Sequence, residues 1–244
     1  MRLDKLLANM GVGSRKDVKK LLKAKKVTLN NKVIKDGSVK VNPDEDSIRV
    51  EGEPIIYKEF IYLMLHKPPG VVSATVDVKD KTVTDLLSEQ DKHFQPFPVG
   101  RLDKDTEGLL LITNDGELAH QLISPNKNVS KMYRAKVKGD LPQDVVQQFA
   151  AGITLDDGYR TKPAKLKIVA AAEEPGVSEV EIEITEGKFH QIKRMFEAVN
   201  AKVIYLKRYR MGELSIDSQL PLGAYRPLTE EEMAYCFRLK NKEF

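Results

Sequence analysis

The sequence is poor in the residues that build metal centres and disulfides. Cys236 is the only cysteine, and the four histidines (His66, His93, His120 and His190) include no i, i+4 pair. An internal disulfide and a cysteine-rich metal site are therefore excluded, and a helical zinc site is not indicated. We expect a protein without a bound metal.

Long apolar runs are also missing. No stretch approaches the roughly 18 apolar residues that would span a membrane. The first five residues, Met-Arg-Leu-Asp-Lys, do not resemble the apolar part of a secretory signal. We therefore expect a cytoplasmic protein with no membrane partner. Its 244 residues suffice for one large domain or two smaller ones.

Positive charge is concentrated near the N-terminus. Residues 1–42 carry twelve Lys and Arg against three Asp, a net charge of +9, although the whole chain sums to only +4. This asymmetry indicates a basic module attached to a more neutral body, and hence a polyanionic partner. The alternative is a basic helix that is merely solvated.

Two short helices are predicted in this basic region. Leu3, Leu6, Leu7 and Met10 follow the i, i+3, i+4, i+7 pattern of a helix with one buried face. Ser14 then starts a second helix with a capping-box-like pattern. Its exposed face groups positive charges at helical spacing, which costs a few tenths of a kcal/mol per pair but suits a phosphate backbone. The candidate RNA contacts here are Arg15, Lys16, Lys19, Lys20 and Lys23.

A predicted hairpin follows, with Asn30-Asn31 between the strands around Val27–Leu29 and 32–34. The opening seven residues, Ser14-Arg15 and Val27-Thr28-Leu29-Asn30 resemble the S4 RNA-binding domain. That resemblance implies structured RNA as the partner. We predict an S4-like RNA-binding domain at 1–45, a linker at 46–59 and a catalytic domain at 60–244.

The larger segment mixes strands and helices without regular βαβ spacing. Apolar and acidic residues alternate over 179–184, which predicts a strand buried on one face. Ile192, Met195, Phe196 and Val199 form another helical stripe. We therefore expect an α+β fold, in which a small basic S4-like α/β domain precedes a domain with a mixed, largely antiparallel sheet.

The stretch from Pro98 to Leu111 places a glycine, an arginine and several carboxylates at a charged bend before an apolar strand. On pattern alone Asp103 and Asp105 are turn formers, because Asp side chains accept bonds from nearby backbone amides. Neither residue can be assigned chemistry from this stretch by itself.

Three segments together resemble the pseudouridine synthases of the RsuA branch. They are Gly100-Arg101-Leu102-Asp103 with Thr106 and Gly108-Leu109-Leu110, then Lys131-Met132-Tyr133-Arg134, and then the run from Glu186 to Phe196. Lys-Pro-Pro-Gly at 67–70 and the tail at 225–232 also fit, so the resemblance covers nearly the whole chain. It implies an RNA-modifying isomerase that needs no cofactor.

The resemblance implies that Asp103 is the catalytic aspartate. Lys193 is the residue it suggests as a counter-ion, since a nearby cation favours the ionised carboxylate. Many members carry arginine there, and lysine offers a point charge instead of a fork. Tyr133 matches the active-site tyrosine, and Arg101 the arginine thought to help displace the base, which must be flipped out. Asp105 and Glu107 keep the role of turn formers.

Further RNA contacts are predicted around this site. The residues chosen for their positive charge are His190, Arg194 and Arg208, with Lys207 and Arg210 nearby. Such contacts position the RNA without reading its sequence.

The predicted function is isomerisation of a uridine in ribosomal RNA, from the small subunit (16S) or from an assembly intermediate, by a monomer. The alternatives are a synthase that acts on large-subunit rRNA and a non-catalytic rRNA-binding assembly protein. A glycosidase with paired carboxylates is disfavoured by the basic N-terminal module.

Overall fold

The computed structural model describes residues 1–171 and 174–241, which separate into two compact units. Unit 1 comprises residues 1–61 with 88–96, and unit 2 comprises 62–87 with the described residues from 97 on. The helices are α1 (Leu3–Asn9), α2 (Arg15–Lys23), α3 (Glu89–Lys92), α4 (Gly116–Ile123), α5 (Val145–Ala151), α6 (Gln191–Glu197) and α7 (Glu230–Lys240), with 3-10 turns at Thr84–Leu86 and Pro125–Lys127.

The strands of unit 1 are β1 (Val27–Leu29), β2 (Lys32–Val33), β3 (Ile48–Val50) and β4 (Glu53–Ile55). Those of unit 2 are β5 (Tyr62–Lys67), β6 (Phe97–Pro98), β7 (Glu107–Thr113), β8 (Lys131–Lys138), β9 (Lys165–Ala171), β10 (Val177–Ile184), β11 (Lys202–Met211), β12 (Leu214–Ser215) and β13 (Tyr225–Pro227).

Unit 1 is built as its periodicity predicts. Leu3, Leu6 and Leu7 of α1 are completely buried in a core shared with α2 and the sheet. Ser14 caps α2 by accepting a bond from the Asp17 amide, and the Asp17 carboxylate accepts one in return from the Ser14 amide. Such a cap contributes about 1 kcal/mol to stability. The apolar stripes therefore set how both helices pack.

The four strands of unit 1 lie in the order β2-β1-β3-β4, and all three pairings are antiparallel. Asn30 and Asn31 connect β1 to β2 with positive φ values of 49° and 65°. Asparagine tolerates this left-handed region better than most residues do, which suits a tight hairpin. The predicted hairpin is confirmed.

The segment predicted as a linker, 46–59, is structured. β3 and β4 lie within it and pair with each other, and β3 also pairs with β1. The side chains of Ile48 and Val50 are buried. Pro54 and the glycine before it suggested a flexible connection, but they occupy an edge strand and its turn, where proline is tolerated.

Unit 2 is organised around a mixed sheet with strand order β13-β5-β7-β11-β8-β10-β9, with β6 pairing to β7 and β12 to β11. Among the strands of the described ranges, only the β7–β11 pair is parallel. The predicted α+β class with a largely antiparallel sheet is confirmed. This parallel pair brings the end of the Asp103 segment next to β11.

Gly108 makes the parallel pairing possible. Its φ is +113°, and a Cβ at this position would lie 2.1 Å from the carbonyl oxygen of Arg208. Only glycine permits both the backbone conformation and the close approach. The glycine therefore has a structural role at the junction of β7 and β11.

The helices of unit 2 bury one face each. Ile192, Met195 and Phe196 of α6 are buried, as the stripe predicts, and the Phe196 ring packs on Phe149 with a centroid distance of 4.9 Å. Because one face of α6 is anchored in the core, its other residues are held in a defined orientation. In the part of the chain that the structure describes, no helix is both long and apolar enough to cross a membrane.

Candidate active site

Asp103 lies on a loop between β6 and β7 that is bonded on both sides. Before it, the Ser73 hydroxyl accepts a hydrogen bond from the Leu102 amide at 3.0 Å and donates one to the Leu102 carbonyl at 2.9 Å. After it, the Gly70 amide donates to the Lys104 carbonyl at 2.7 Å. The loop is thus fixed by residues that follow β5, and the carboxylate of Asp103 is presented from a rigid backbone.

Lys67 also fixes the loop that carries Asp103, through hydrogen bonds to backbone carbonyls. Its side chain is fully buried, and its ammonium donates to the carbonyl oxygens of Thr106 at 2.8 Å, Pro68 at 3.0 Å and Lys104 at 3.3 Å. Burial lowers the pKa of Lys67 to about 8, although the nearby carboxylates, that of Asp103 included, oppose this shift. Three carbonyls satisfy the three protons that an ammonium can donate.

The basic partner of Asp103 is supplied by α6. Lys193 Nζ lies 3.1 Å from Asp103 Oδ2, and 2.7 Å and 2.9 Å from the two carboxylate oxygens of Asp105. Burial lowers the pKa of Lys193, but its hydrogen bonds with Asp105 and Asp103 outweigh burial and raise the pKa above its ordinary value. The ammonium therefore stays charged and is shared by two carboxylates.

Asp105 is more than a turn former. Burial raises the pKa of its carboxyl, but the hydrogen bond and charge of Lys193 outweigh burial and lower the pKa below its usual value. Its side chain is 73% exposed, against 28% for Asp103. The turn-former interpretation overlooked this ion pair, because the partner comes from a helix 88 residues away. Asp103 is the more enclosed of the two carboxylates.

A pocket opens above these groups. Its lining includes Arg101, Asp103, Thr106, Tyr133, His190 and Lys193. Tyr133 reaches it from β8, flanked by Arg208 on β11 and Ile182 on β10. The predicted catalytic residues therefore meet at one pocket.

Several groups at this pocket have no hydrogen-bond or ion-pair partner among the described residues. The Thr106 hydroxyl is buried without one, and within the described residues no hydrogen bond is made by the Tyr133 hydroxyl. Arg101 is exposed and forms no ion pair with any residue of the described ranges. Tyr133 and Arg101 both line the pocket, and their predicted roles stay predictions.

His190 lies at the start of α6 beside the same carboxylate. Its Nε2 is 3.7 Å from Asp103 Oδ1. It adopts a left-handed conformation, with φ 49° and ψ 31°, which is uncommon for histidine. The turn before it is held by the buried Glu186, which accepts bonds from Gln191, Tyr159 and the Lys162 amide. Its predicted contact with RNA remains a prediction.

The structure contradicts one predicted RNA contact, at Arg208, and leaves another, at Arg194, a prediction. Arg208 is only 2% exposed, and its Nε donates to the Leu109 carbonyl at 2.9 Å, so its burial contradicts a surface phosphate contact. Arg194 is engaged with Asp156 and Asp157, at 2.6 Å for the bond from its Nε to Asp156 and 2.7 Å for the pair with Asp157. The sequence showed that both residues are positively charged. It could not show that Arg208 bonds to a buried carbonyl or that Arg194 pairs with two aspartates.

The positive face of α2 in unit 1 is exposed as expected. Its members are Arg15, Lys16, Lys19, Lys20 and Lys23. Of these, Lys20 forms an ion pair with Asp17 at 3.1 Å. The others carry solvated charge in the described structure, and their contact with RNA stays a prediction.

Lys67 is the important residue that sequence reasoning missed. The signal was present, because Lys67 ends the apolar run of β5 directly before two prolines. A lysine on the buried side of a strand needs internal acceptors. The pattern could not reveal which carbonyls these are, since they come from the Asp103 loop.

Comparisons with known proteins cover both units. Residues 61–198 match the family model for RNA pseudouridylate synthase, and residues 1–47 match that for the S4 domain. The chain is 51% identical to an uncharacterized RNA pseudouridine synthase, YtzG, of Bacillus subtilis. This match extends over 233 residues and covers 96% of this chain and 97% of the relative. A solved structure described as a pseudouridylate synthase has a TM-score of 0.66 at 33% identity, covering 97% of this chain and 99% of its own.

Two further relatives carry names with different substrates. A ribosomal small subunit pseudouridine synthase A of Yersinia pestis is 41% identical, with coverage of 96% of this chain and 97% of that protein. A ribosomal large subunit pseudouridine synthase B of Bacillus subtilis is also 41% identical, with coverage of 95% and 93%. Identity alone therefore does not distinguish the two subunits.

Proposed function

Because this chain belongs to the RNA pseudouridylate synthase family, we propose that it converts one uridine of small-subunit rRNA to pseudouridine with Asp103 as the nucleophile. The observation that carries the proposal is the ion pair of Lys193 with Asp103, at 3.1 Å, inside the pocket that Tyr133 also lines. A nucleophilic carboxylate must be aimed at its target, and this ion pair fixes the direction of the Asp103 carboxylate.

The reaction balances within the substrate. The bond between N1 of uracil and C1′ of ribose breaks, a bond between C5 and C1′ forms, the C5 proton leaves, and N1 gains a proton. No oxidant, reductant or net water is required. The target base must leave its stack to reach a carboxylate inside a pocket, at a cost of a few kcal/mol.

Each residue has a separate task in this scheme. Asp103 reacts with the target nucleoside, and Lys193 orients its carboxylate through the ion pair. The ring of Tyr133 offers a stacking surface for uracil, and its unbonded hydroxyl is placed to help move the C5 proton. Arg101, exposed at the rim, fills the space that the flipped base leaves in the RNA.

The choice of the small subunit is supported by the His190-Gln191-Ile192-Lys193 form of the third sequence segment and by the tail at 225–232. A large-subunit target is the second candidate, favoured by the relative from Bacillus subtilis that carries that name. The basic face of α2 supports either RNA, because phosphate contacts do not read sequence.

The decisive experiment maps pseudouridine in both rRNAs from cells that contain the protein, lack it, or contain Asp103→Asn. We expect one site in small-subunit rRNA to disappear in the last two strains. Loss of a pseudouridine from large-subunit rRNA instead would show that the target uridine lies in that RNA. Unchanged pseudouridine in both rRNAs would refute the proposal.

Asp105→Asn is the matched control, because Asp105 shares Lys193 and lies two residues away. Purified Asp105→Asn should still form product, whereas Asp103→Asn should form none and still bind RNA. Product from Asp103→Asn would remove Asp103 from the reaction. If both variants fold normally and neither forms product, the result would not single out either aspartate as the nucleophile. It would then contradict the assignment to Asp103 alone.

A further inference from the structure

Phe189 exposes an aromatic ring beside the pocket. Its side chain is 71% exposed, and no other phenylalanine or tyrosine of the described ranges is as open to solvent. A single exposed apolar residue is common in proteins and by itself indicates nothing. Phe189 differs from such residues in how its ring is held and in what lies next to it.

The backbone at Phe189 is fixed from both sides. After it, His190 adopts a left-handed conformation, and Arg194 Nη1 donates to the Phe189 carbonyl at 3.4 Å. Before it, the Lys188 ammonium lies 4.4 Å from the centre of the Tyr159 ring. Left-handed backbone at a non-glycine residue persists only when the surroundings impose it. The ring is thus presented on a rigid turn.

The ring also stacks on an imidazole that lies beside the proposed catalytic carboxylate. The rings of Phe189 and His190 are parallel to within 18°, with centroids 3.8 Å apart. His190 Nε2 lies 3.7 Å from Asp103 Oδ1 and lines the pocket. The order is therefore carboxylate, imidazole, phenyl ring and solvent. One face of the phenyl ring is covered by His190, and the opposite face is open.

We propose that the open face of Phe189 stacks on a nucleobase of the RNA that neighbours the reacting uridine and stays outside the pocket. The inference rests on the proposed function and adds a contact surface to it. Flipping a uridine removes the stacking partner of the adjacent base. An exposed aromatic ring replaces that partner whatever the base is, because every base has a π-face.

The charges around the ring suit this occupant. Arg101 and Lys188 line the pocket next to it. An RNA strand that places its uridine at Asp103 therefore passes positive groups and an aromatic surface together. This combination is how proteins bind single-stranded nucleic acid.

The chain contains no tryptophan, which allows a direct optical test. Phe189→Trp introduces a single indole at the proposed platform, and a stacked nucleobase quenches its fluorescence. Phe237→Trp is the matched control, because Phe237 is a 46% exposed phenylalanine on α7, which contributes no residue to the pocket. The probes are protein-free transcripts of small-subunit and large-subunit rRNA, and binding is measured separately by filter retention.

We expect saturable quenching of Phe189→Trp by a bound transcript and none for Phe237→Trp. Bound RNA without quenching of Phe189→Trp, or equal quenching of both variants, would overturn the proposal. Quenching reports contact whether or not the RNA is modified. The failure of the platform and the failure of the proposed function are therefore distinguishable, since wild-type pseudouridine formation tests only the latter.

Kinetics give the second readout. Phe189→Ala should raise the KM for RNA by about 5- to 150-fold with a smaller change in kcat, and Phe189→Tyr should restore it. Phe189→Leu keeps apolar cover over His190 without a π-face, so a normal KM in this variant would refute stacking. If Phe189 acts only by supporting His190, adding Phe189→Ala to a His190→Ala variant will not raise the KM for RNA further. That result would also refute stacking of Phe189 on a base.

Discussion

Replacing Lys193 by methionine tests the ion pair at the centre of the site. Methionine keeps much of the length of lysine and removes the charge that Asp103 and Asp105 share. Lys193 is 20% exposed and Asp103 is 28% exposed, so water screens their contact only partly. A hydrogen bond to a charged group in such a place contributes about 1.5–3 kcal/mol, which corresponds to a loss of about 10- to 150-fold in kcat if it is needed in the transition state.

The assay follows from the chemistry of the reaction. The hydrogen on C5 of the target uridine is released when the C5–C1′ bond forms, so RNA carrying tritium at C5 of uridine releases its label into water. Initial rates at saturating RNA give kcat, and rates at low RNA give kcat/KM. The second carboxylate on Lys193 is 73% exposed and adds little to the expected loss.

Lys104→Met is the matched control. It removes one positive charge from the same loop, but its ammonium pairs with the carboxylate of Asp80 at 2.6 Å and not with Asp103. We expect kcat within about twofold of wild type, as for most surface changes. Lys193→Arg keeps the charge and should lose less than Lys193→Met. Normal kcat in Lys193→Met, or an equal loss in Lys104→Met, would refute the reasoning.

Three other outcomes are expected. Gly108→Ala should lower the free energy of unfolding by at least about 2 kcal/mol in urea titrations, because its Cβ would overlap the facing carbonyl at 2.1 Å. Gly116 has open space around it, so Gly116→Ala should not lower this free energy. Equal urea midpoints for the two variants would contradict the close approach. The pKa of Lys67 is about 8 in the folded protein, against an ordinary value of 10.5. Between pH 8 and pH 10.5 the unfolded state therefore binds more protons, and the free energy of unfolding should rise with pH by up to about 3 kcal/mol. A Lys67→Met variant with the same pH slope would disprove this. Lys19→Gln with Lys23→Gln should flatten the salt dependence of RNA binding by about 0.9 in log–log slope per lost phosphate contact, and an unchanged slope would mean that this face of α2 is only solvated.

Local periodicity predicted the elements well. The leucine stripe of α1 and the stripe of Ile192 in α6 pointed to buried faces, and both are buried. Asn30-Asn31 predicted the hairpin because few residues tolerate its backbone angles. The linker at 46–59 was mispredicted, since short edge strands such as β4 contain too few residues to show an alternation.

The site itself required information that does not lie in local pattern. Asp103 and Asp105 look alike in the sequence, and only the family resemblance selected Asp103. Arg208 was taken for a surface cation because charge usually indicates exposure, yet its strand crosses the interior. Lys67 was overlooked for the opposite reason, because its three acceptors are backbone carbonyls that any sequence would supply.

The wide separation of the two halves of the site has a consequence for synthesis. Asp105 and Lys193 are 88 residues apart, and β7 and β11, which carry the parallel junction, are separated similarly. At about 5–20 residues per second, a ribosome needs about 5 to 20 seconds to add that length. During this interval the nascent chain already has the basic helix α2 but lacks the counter-ion of its carboxylates. The predicted RNA-binding helix is therefore made before the predicted catalytic pair is complete.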